Sequence, residues 1–152
     1  MKHRFVKSSE KKQILKKLNE QFGIEKLDYL LIESGKQKFR GYTGTLSKEE
    51  ISELDSLTNI ETIGTYLIKE ENDLRLSLDA THLLKNQITK NIIEIDDKQL
   101  DQWMRGFDIE LEKEITPGVK VIKYKNDFIG CTKTNGKILF NYVPKERRIK
   151  GQ

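Results

Sequence analysis

The 152-residue chain has one cysteine, Cys131, and two histidines, His3 and His82. One thiol cannot close an internal disulfide, and one thiol with two distant imidazoles makes a poor metal site. A reducing, cytoplasmic setting is therefore expected, with no metal and no cofactor. No apolar run approaches the roughly 18 residues of a membrane-spanning helix. The basic start His3-Arg4 continues into Lys7, Ser8, Ser9, Glu10 and Lys11 instead of an apolar core, so it is not read as a signal peptide. No glycine-rich loop of the kind that cradles S-adenosylmethionine follows a strand pattern. An Asp79–His82 pair one helical turn apart invites a general-base reading, but no nucleophile accompanies it. The expectation is a protein without catalytic activity.

What the chain does have is charge, and the charge is segregated. Charged residues make up 34% of the sequence and the net charge is +4. Residues 1–17 carry +6, residues 18–117 carry −9 and residues 118–152 carry +7. Two basic ends around an acidic middle favour a polyanionic partner, because each neutralised phosphate releases condensed counterions. Solubility alone would be served equally well by the same pattern.

Apolar periodicity divides the chain into short elements. Ile14, Leu15, Leu18 and Phe22 recur at helical spacing, with Ser8 or Ser9 placed to cap the start and Gly23 the end. Strands are expected over 28–33 and through Phe39 to Tyr42, turning at Ser34-Gly35. Ser47 and Glu50 have capping-box spacing at the head of a short helix containing Ile51 and Leu54. A long strand is expected over 59–69, and Leu74, Leu76 and Leu78 alternate with polar residues. His3 falls in a start expected to fray. Residues 85–90 are apolar-poor and suggest a boundary between a unit over 1–87 and a second over 88–152.

In the second unit, strand 91–95 leads to a helix capped by Asp96 or Asp97, carrying Leu100, Trp103 and Met104 and ended by Gly106. Phe107 to Leu111 is extended, Thr116-Pro117-Gly118 turns, and strands follow over 119–124, 127–132 and 137–142, with Asn135-Gly136 as a hairpin signal. Several short strands with one helix suggest a small barrel. Trp103, Phe128, Phe140 and Cys131 are assigned to the core, leaving Tyr142 as the better candidate for stacking on a base.

That order of elements, with the residues filling it, resembles the PUA domain. The segments Ile93-Glu94-Ile95-Asp96, Trp103-Met104-Arg105-Gly106-Phe107-Asp108, Thr116-Pro117-Gly118, Ile129-Gly130 and Asn141-Tyr142-Val143-Pro144-Lys145-Glu146-Arg147-Arg148 carry the likeness. They resemble archaeal PUA-type ribosome-biogenesis proteins related to the C-terminal domain of Sun/Fmu-type RNA cytosine methyltransferases. The likeness covers 88–152 well and 1–87 only in general plan. It implies an α+β protein: a small N-terminal α+β (pre-PUA) unit, then a PUA-like β-barrel with one capping helix.

The resemblance further implies RNA, ribosomal or transfer, as partner. The matching loop is Arg105-Gly106-Phe107, with Lys133 and Tyr142 on neighbouring strands and Lys145, Arg147 and Arg148 in the tail. Gly106 reads equally as a helix cap and the tail as a solvated segment. An adaptor whose N-terminal unit docks a protein is the alternative.

Overall fold

The computed structural model describes residues 2–151. Met1 and Gln152, the outermost residues of the two expected units, lie outside the described residues.

The first sheet is antiparallel, in the order β1-β2-β3-β4-β5. Its strands are β1 (His3–Phe5), β2 (Leu30–Ser34), β3 (Lys38–Tyr42), β4 (Thr65–Glu70) and β5 (Leu74–Leu76). Helix α1 (Ser8–Phe22) buries Ile14, Leu18 and Phe22 against it, following the spacing in the sequence. Two local expectations change here. The residue at the α1 N-cap is Lys7, without a side-chain cap bond. His3 is paired in β1, opposite Ser34, because a two-strand hairpin offers an edge that the start of the chain can complete. Arg4 fastens that edge, bonding Glu10 at 2.7 and 2.8 Å and Glu33 at 2.9 and 3.1 Å.

Helix α2 (Lys48–Thr58) starts on the Ser47–Glu50 capping box. The long strand expected over 59–69 shortens to β4. Asn59 takes a left-handed conformation at φ +53°, and the carbonyls of Ile63 and Gly64 accept bonds from the Arg40 side chain at 3.0 and 2.6 Å. Apolar content in 59–64 thus marks a loop tied down by a side chain. Helix α3 (Leu78–Leu83) follows β5 directly, capped by the Ser77 hydroxyl.

The second sheet has the order β6-β8-β9-β10-β7 and curls as a half-barrel. Its strands are β6 (Ile92–Glu94), β7 (Ile109–Glu110), β8 (Gly118–Tyr124), β9 (Asp127–Thr134) and β10 (Ile138–Leu139). β6 runs parallel to β8, and the other pairings are antiparallel. Helix α4 (Asp97–Met104) begins on a capping box made by Asp96 and Gln99. The register shifts between Val121 and Lys123, which lets the consecutive residues Val121 and Ile122 both be buried, in different clusters.

One cluster joins the two sheets: Val119, Val121, Phe128 and Cys131 of the second pack with Leu18, Phe22, Leu74 and Leu76 of the first. The other lies under α4, where Trp103 is fully buried among Ile95, Ile109, Ile122, Leu139 and Val143. The connection between the sheets is pinned as well. The Gln87 amide oxygen accepts from the backbone N–H groups of Glu25 and Lys26, at 2.9 and 2.8 Å, and Thr89 N–H donates to Phe22 O at 2.8 Å. Gly23, at φ +81°, makes room for this: a Cβ there would stand 2.1 Å from Thr89 Oγ1.

Candidate functional site

Helix α4 ends at Arg105, and Gly106 turns the chain at φ +90°, a backbone that glycine adopts without strain. Gly106 N–H donates to Trp103 O at 3.0 Å. A Cβ at Gly106 would stand 2.5 Å from Arg148 Nε, so the tail lies directly on this loop. Arg148 Nε donates to Val143 O at 3.0 Å, Ile149 N–H to Met104 O at 2.8 Å, and Arg105 Nη1 to Gly151 O at 2.8 Å. A solvated, freely moving tail is therefore not what the structure has: residues 141–151 are docked against the end of α4.

Asn141 does much of the joining. Its amide donates to Trp103 O at 2.8 Å and Phe107 O at 2.9 Å, while its backbone N–H donates to Asp108 Oδ1 at 2.8 Å. With β10 only two residues long, strand alternation stops before Phe140. That ring is 36% exposed, not in the core as its place in an expected strand over 137–142 suggests. Phe107 is 61% exposed. Two uncovered aromatic rings thus sit on segments that Asn141 ties together.

The basic residues of this region have divided roles. Arg105 Nε lies 3.1 Å from both Asp101 carboxylate oxygens, and Arg148 braces Val143 O; these two guanidiniums organise the surface. Lys145 and Lys150 are exposed and carry no ion pair among the described residues. A 3-10 turn over Lys145–Arg147 then splits the run. Lys145, Arg148 and Lys150 line a shallow depression with Arg105, whereas Tyr142 and Arg147 face a separate cleft between the two sheets. Arg147 reaches Asp79 on α3 at 3.1 Å.

Of the residues expected in the site, Arg105, Gly106, Phe107, Lys145 and Arg148 come together. Lys133 stands apart on β9, where its Nζ pairs with Glu71 of the first sheet. Trp103 is buried and donates its indole N–H to Ile129 O at 2.8 Å, a core role. Asp79 gives its carboxylate to Arg147, and among the described residues no hydrogen bond joins it to His82. Burial pushes the Cys131 thiol up to about 12, so a thiolate there is strongly disfavoured. Among the described residues no group of His, Cys, Asp or Glu is placed to hold a metal, and no helix is long and apolar enough to cross a membrane. Sequence reasoning missed Asn141 and Phe140. A polar residue inside an expected strand was the available signal for Asn141.

A family model described as the methyltransferase RsmF PUA domain matches residues 90–149, from just before β6 to the docked tail. Residues 90–149 are thus similar to that PUA domain. The solved structure of a conserved PUA domain protein from Thermoplasma acidophilum superposes on almost all of it. That match covers 95% of this chain and 97% of the other, with a TM-score of 0.60 and 15% identity. At that identity the likeness is one of fold, and it extends the shared fold to the first sheet, outside the family model's span. No curated protein matches the sequence. The loop at Gly106 and the tail at 141–149 both lie inside the segment that the family model matches.

Proposed function

We propose that this chain is a non-catalytic RNA-binding protein acting on structured ribosomal or transfer RNA in the cytoplasm, in ribosome biogenesis or RNA modification. Its contact surface is the loop after α4 together with the docked tail. The observation that carries this reading is the docking itself. It sets Lys145 and Lys150, which carry no ion pair among the described residues, in one depression with Arg105 and Arg148, while Asn141 ties together the segments that carry the exposed rings of Phe107 and Phe140. Ammonium groups answer phosphates, and exposed rings answer unpaired bases. The PUA domain supports RNA as the class of partner.

The test is binding across a salt series, with structured transfer or ribosomal RNA compared with unstructured RNA. Replacing Lys145 and Lys150 together by alanine is expected to weaken binding to structured RNA. It should also lower the slope of log affinity against log salt by about 0.7–0.9 for each lost phosphate contact. Weak binding, equal for all RNAs and untouched by the double variant, would overturn the assignment.

One observation favours a second reading, a protein adaptor: α2 leaves Leu54 42% and Leu57 77% exposed beside Glu50 and Glu53. Saturable binding to a protein with only background RNA binding would place that reading first.

A further inference from the structure

The cleft between the two sheets has a volume of about 470 Å³, within the range of roughly 300–1,000 Å³ common for small-ligand sites. Its floor is apolar, formed by Ile129, Gly130, Cys131 and the Trp103 indole, and its walls are cationic and aromatic. Arg75, from β5, lays its guanidinium 4.0 Å from the centroid of the Tyr142 ring, which comes from the tail of the PUA domain. The Arg75 Nε is buried and has no hydrogen-bond partner, an expensive state for a charged donor. Tyr66 stands on the same wall, and Arg40 and Arg147 complete the cationic lining. The acids present are Asp79, already paired with Arg147 at 3.1 Å, and Glu146.

A flat, electron-rich ring and an anionic group answer this lining together. A planar guanidinium stacked on tyrosine gives a base a surface to stack on, and arginine forks take phosphate oxygens. A purely apolar ligand would leave the buried Arg75 Nε unanswered, and a bare anion would leave the aromatic walls and the apolar floor unused. The Arg147–Asp79 pair is exposed enough to exchange its carboxylate for a phosphate at little cost.

We propose that this cleft is a slot for a single unpaired nucleotide, its base stacked on the Tyr142–Arg75 pair and its phosphate held by Arg40 and Arg147. In so far as the nucleotide belongs to an RNA strand, the proposal rests on the RNA-binding reading above. The slot is separate from the loop-and-tail surface and uses side chains of the first sheet, outside the matched PUA segment.

Trp103, the only tryptophan, lies in the cleft floor and reports on occupancy by its fluorescence. The full chain is titrated with AMP, UMP, inorganic phosphate and a short single-stranded RNA, and thermal melts check that each variant is folded. The nucleotides and the oligonucleotide are expected to change Trp103 emission saturably. Tyr142→Leu should weaken this by about tenfold, the scale of one lost base–aromatic stack, while Tyr142→Phe retains it and Arg75→Gln lowers it. Tighter binding of the oligonucleotide than of AMP or UMP identifies a strand as the source, and equal binding identifies a free nucleotide; both support the slot. An equal response to inorganic phosphate would overturn the stacking. So would structured RNA that binds through the loop and tail, is weakened by the lysine double variant, and yet leaves Trp103 emission and the Tyr142→Leu affinity unchanged. That last outcome leaves the RNA reading standing. Absence of saturable RNA binding with a retained, Tyr142-dependent response to AMP or UMP would overturn the RNA reading and keep the slot.

Discussion

Replacing Gly106 by alanine perturbs the backbone and the tail at one point. At φ +90° an L side chain is strained, and the left-handed region costs an alanine about 1–2 kcal/mol. The new Cβ would also lie 2.5, 2.6 and 2.8 Å from Arg148 Nε, Cδ and Cζ, so the side chain must swing away. Its 3.0 Å bond to Val143 O breaks with that movement. A hydrogen bond from a charged group contributes about 1.5–3 kcal/mol, and the half-buried position of Arg148 sets it at the lower end. The expected loss is about 2–4 kcal/mol in urea denaturation, or roughly 5–15 °C in Tm at the 2–4 °C per kcal/mol usual for this chain length. In an Arg148→Ala background the clash is gone and only the backbone part remains, about 1–2 kcal/mol. A double-mutant cycle should therefore show coupling of about 1–2 kcal/mol between the two positions. Additive effects, within about 0.3–0.5 kcal/mol, would refute the contact between loop and tail.

Two further outcomes follow from buried groups. The Cys131 thiol, pushed up to about 12 by burial, keeps its proton in the folded chain while the unfolded thiol loses it near its ordinary value of 9. Between pH 9 and 12 the folded state then binds the extra proton, so stability is full below pH 9 and falls as pH rises, by about 1.4 kcal/mol per pH unit at most. Urea denaturation at pH 8 and pH 10.5 should show a smaller alkaline loss in Cys131→Ala than in the parent; equal losses would place the thiol in water. Trp103→Phe removes the indole donor at 2.8 Å from Ile129 O and should cost about 1–3 kcal/mol by circular dichroism melts in denaturant. A neutral substitution would mean that the carbonyl finds another partner.

Much of the local structure is legible in the sequence because its causes lie within a few residues. Ser47 with Glu50 and Asp96 with Gln99 close capping boxes over three residues, Gly23 ends α1, and Asn135-Gly136 turns the β9–β10 hairpin. Side-chain spacing puts Ile14, Leu18 and Phe22 on one buried face. The PUA-type order of elements, and with it the loop at Gly106, follows from the same short-range signals.

Only the tertiary structure decides the rest, because the deciding contacts cross long stretches of chain. β1 becomes a strand only because β2 offers an edge 29 residues on, where Arg4 meets Glu33. Residues 59–64 are apolar enough for a strand, yet Arg40 takes the carbonyls of Ile63 and Gly64. Phe140 escapes the core because Asn141 redirects the chain toward Phe107 and Asp108. The basic tail reads as one patch in one dimension, but its 3-10 turn points Lys145 and Arg148 toward the loop and Arg147 toward Asp79, 68 residues away. Likewise Arg75 meets Tyr142 only because Val119, Val121, Phe128 and Cys131 pack the second sheet onto the first. Hydrogen-bond and apolar periodicities specify elements; the burial of one sheet against another chooses which side chains meet.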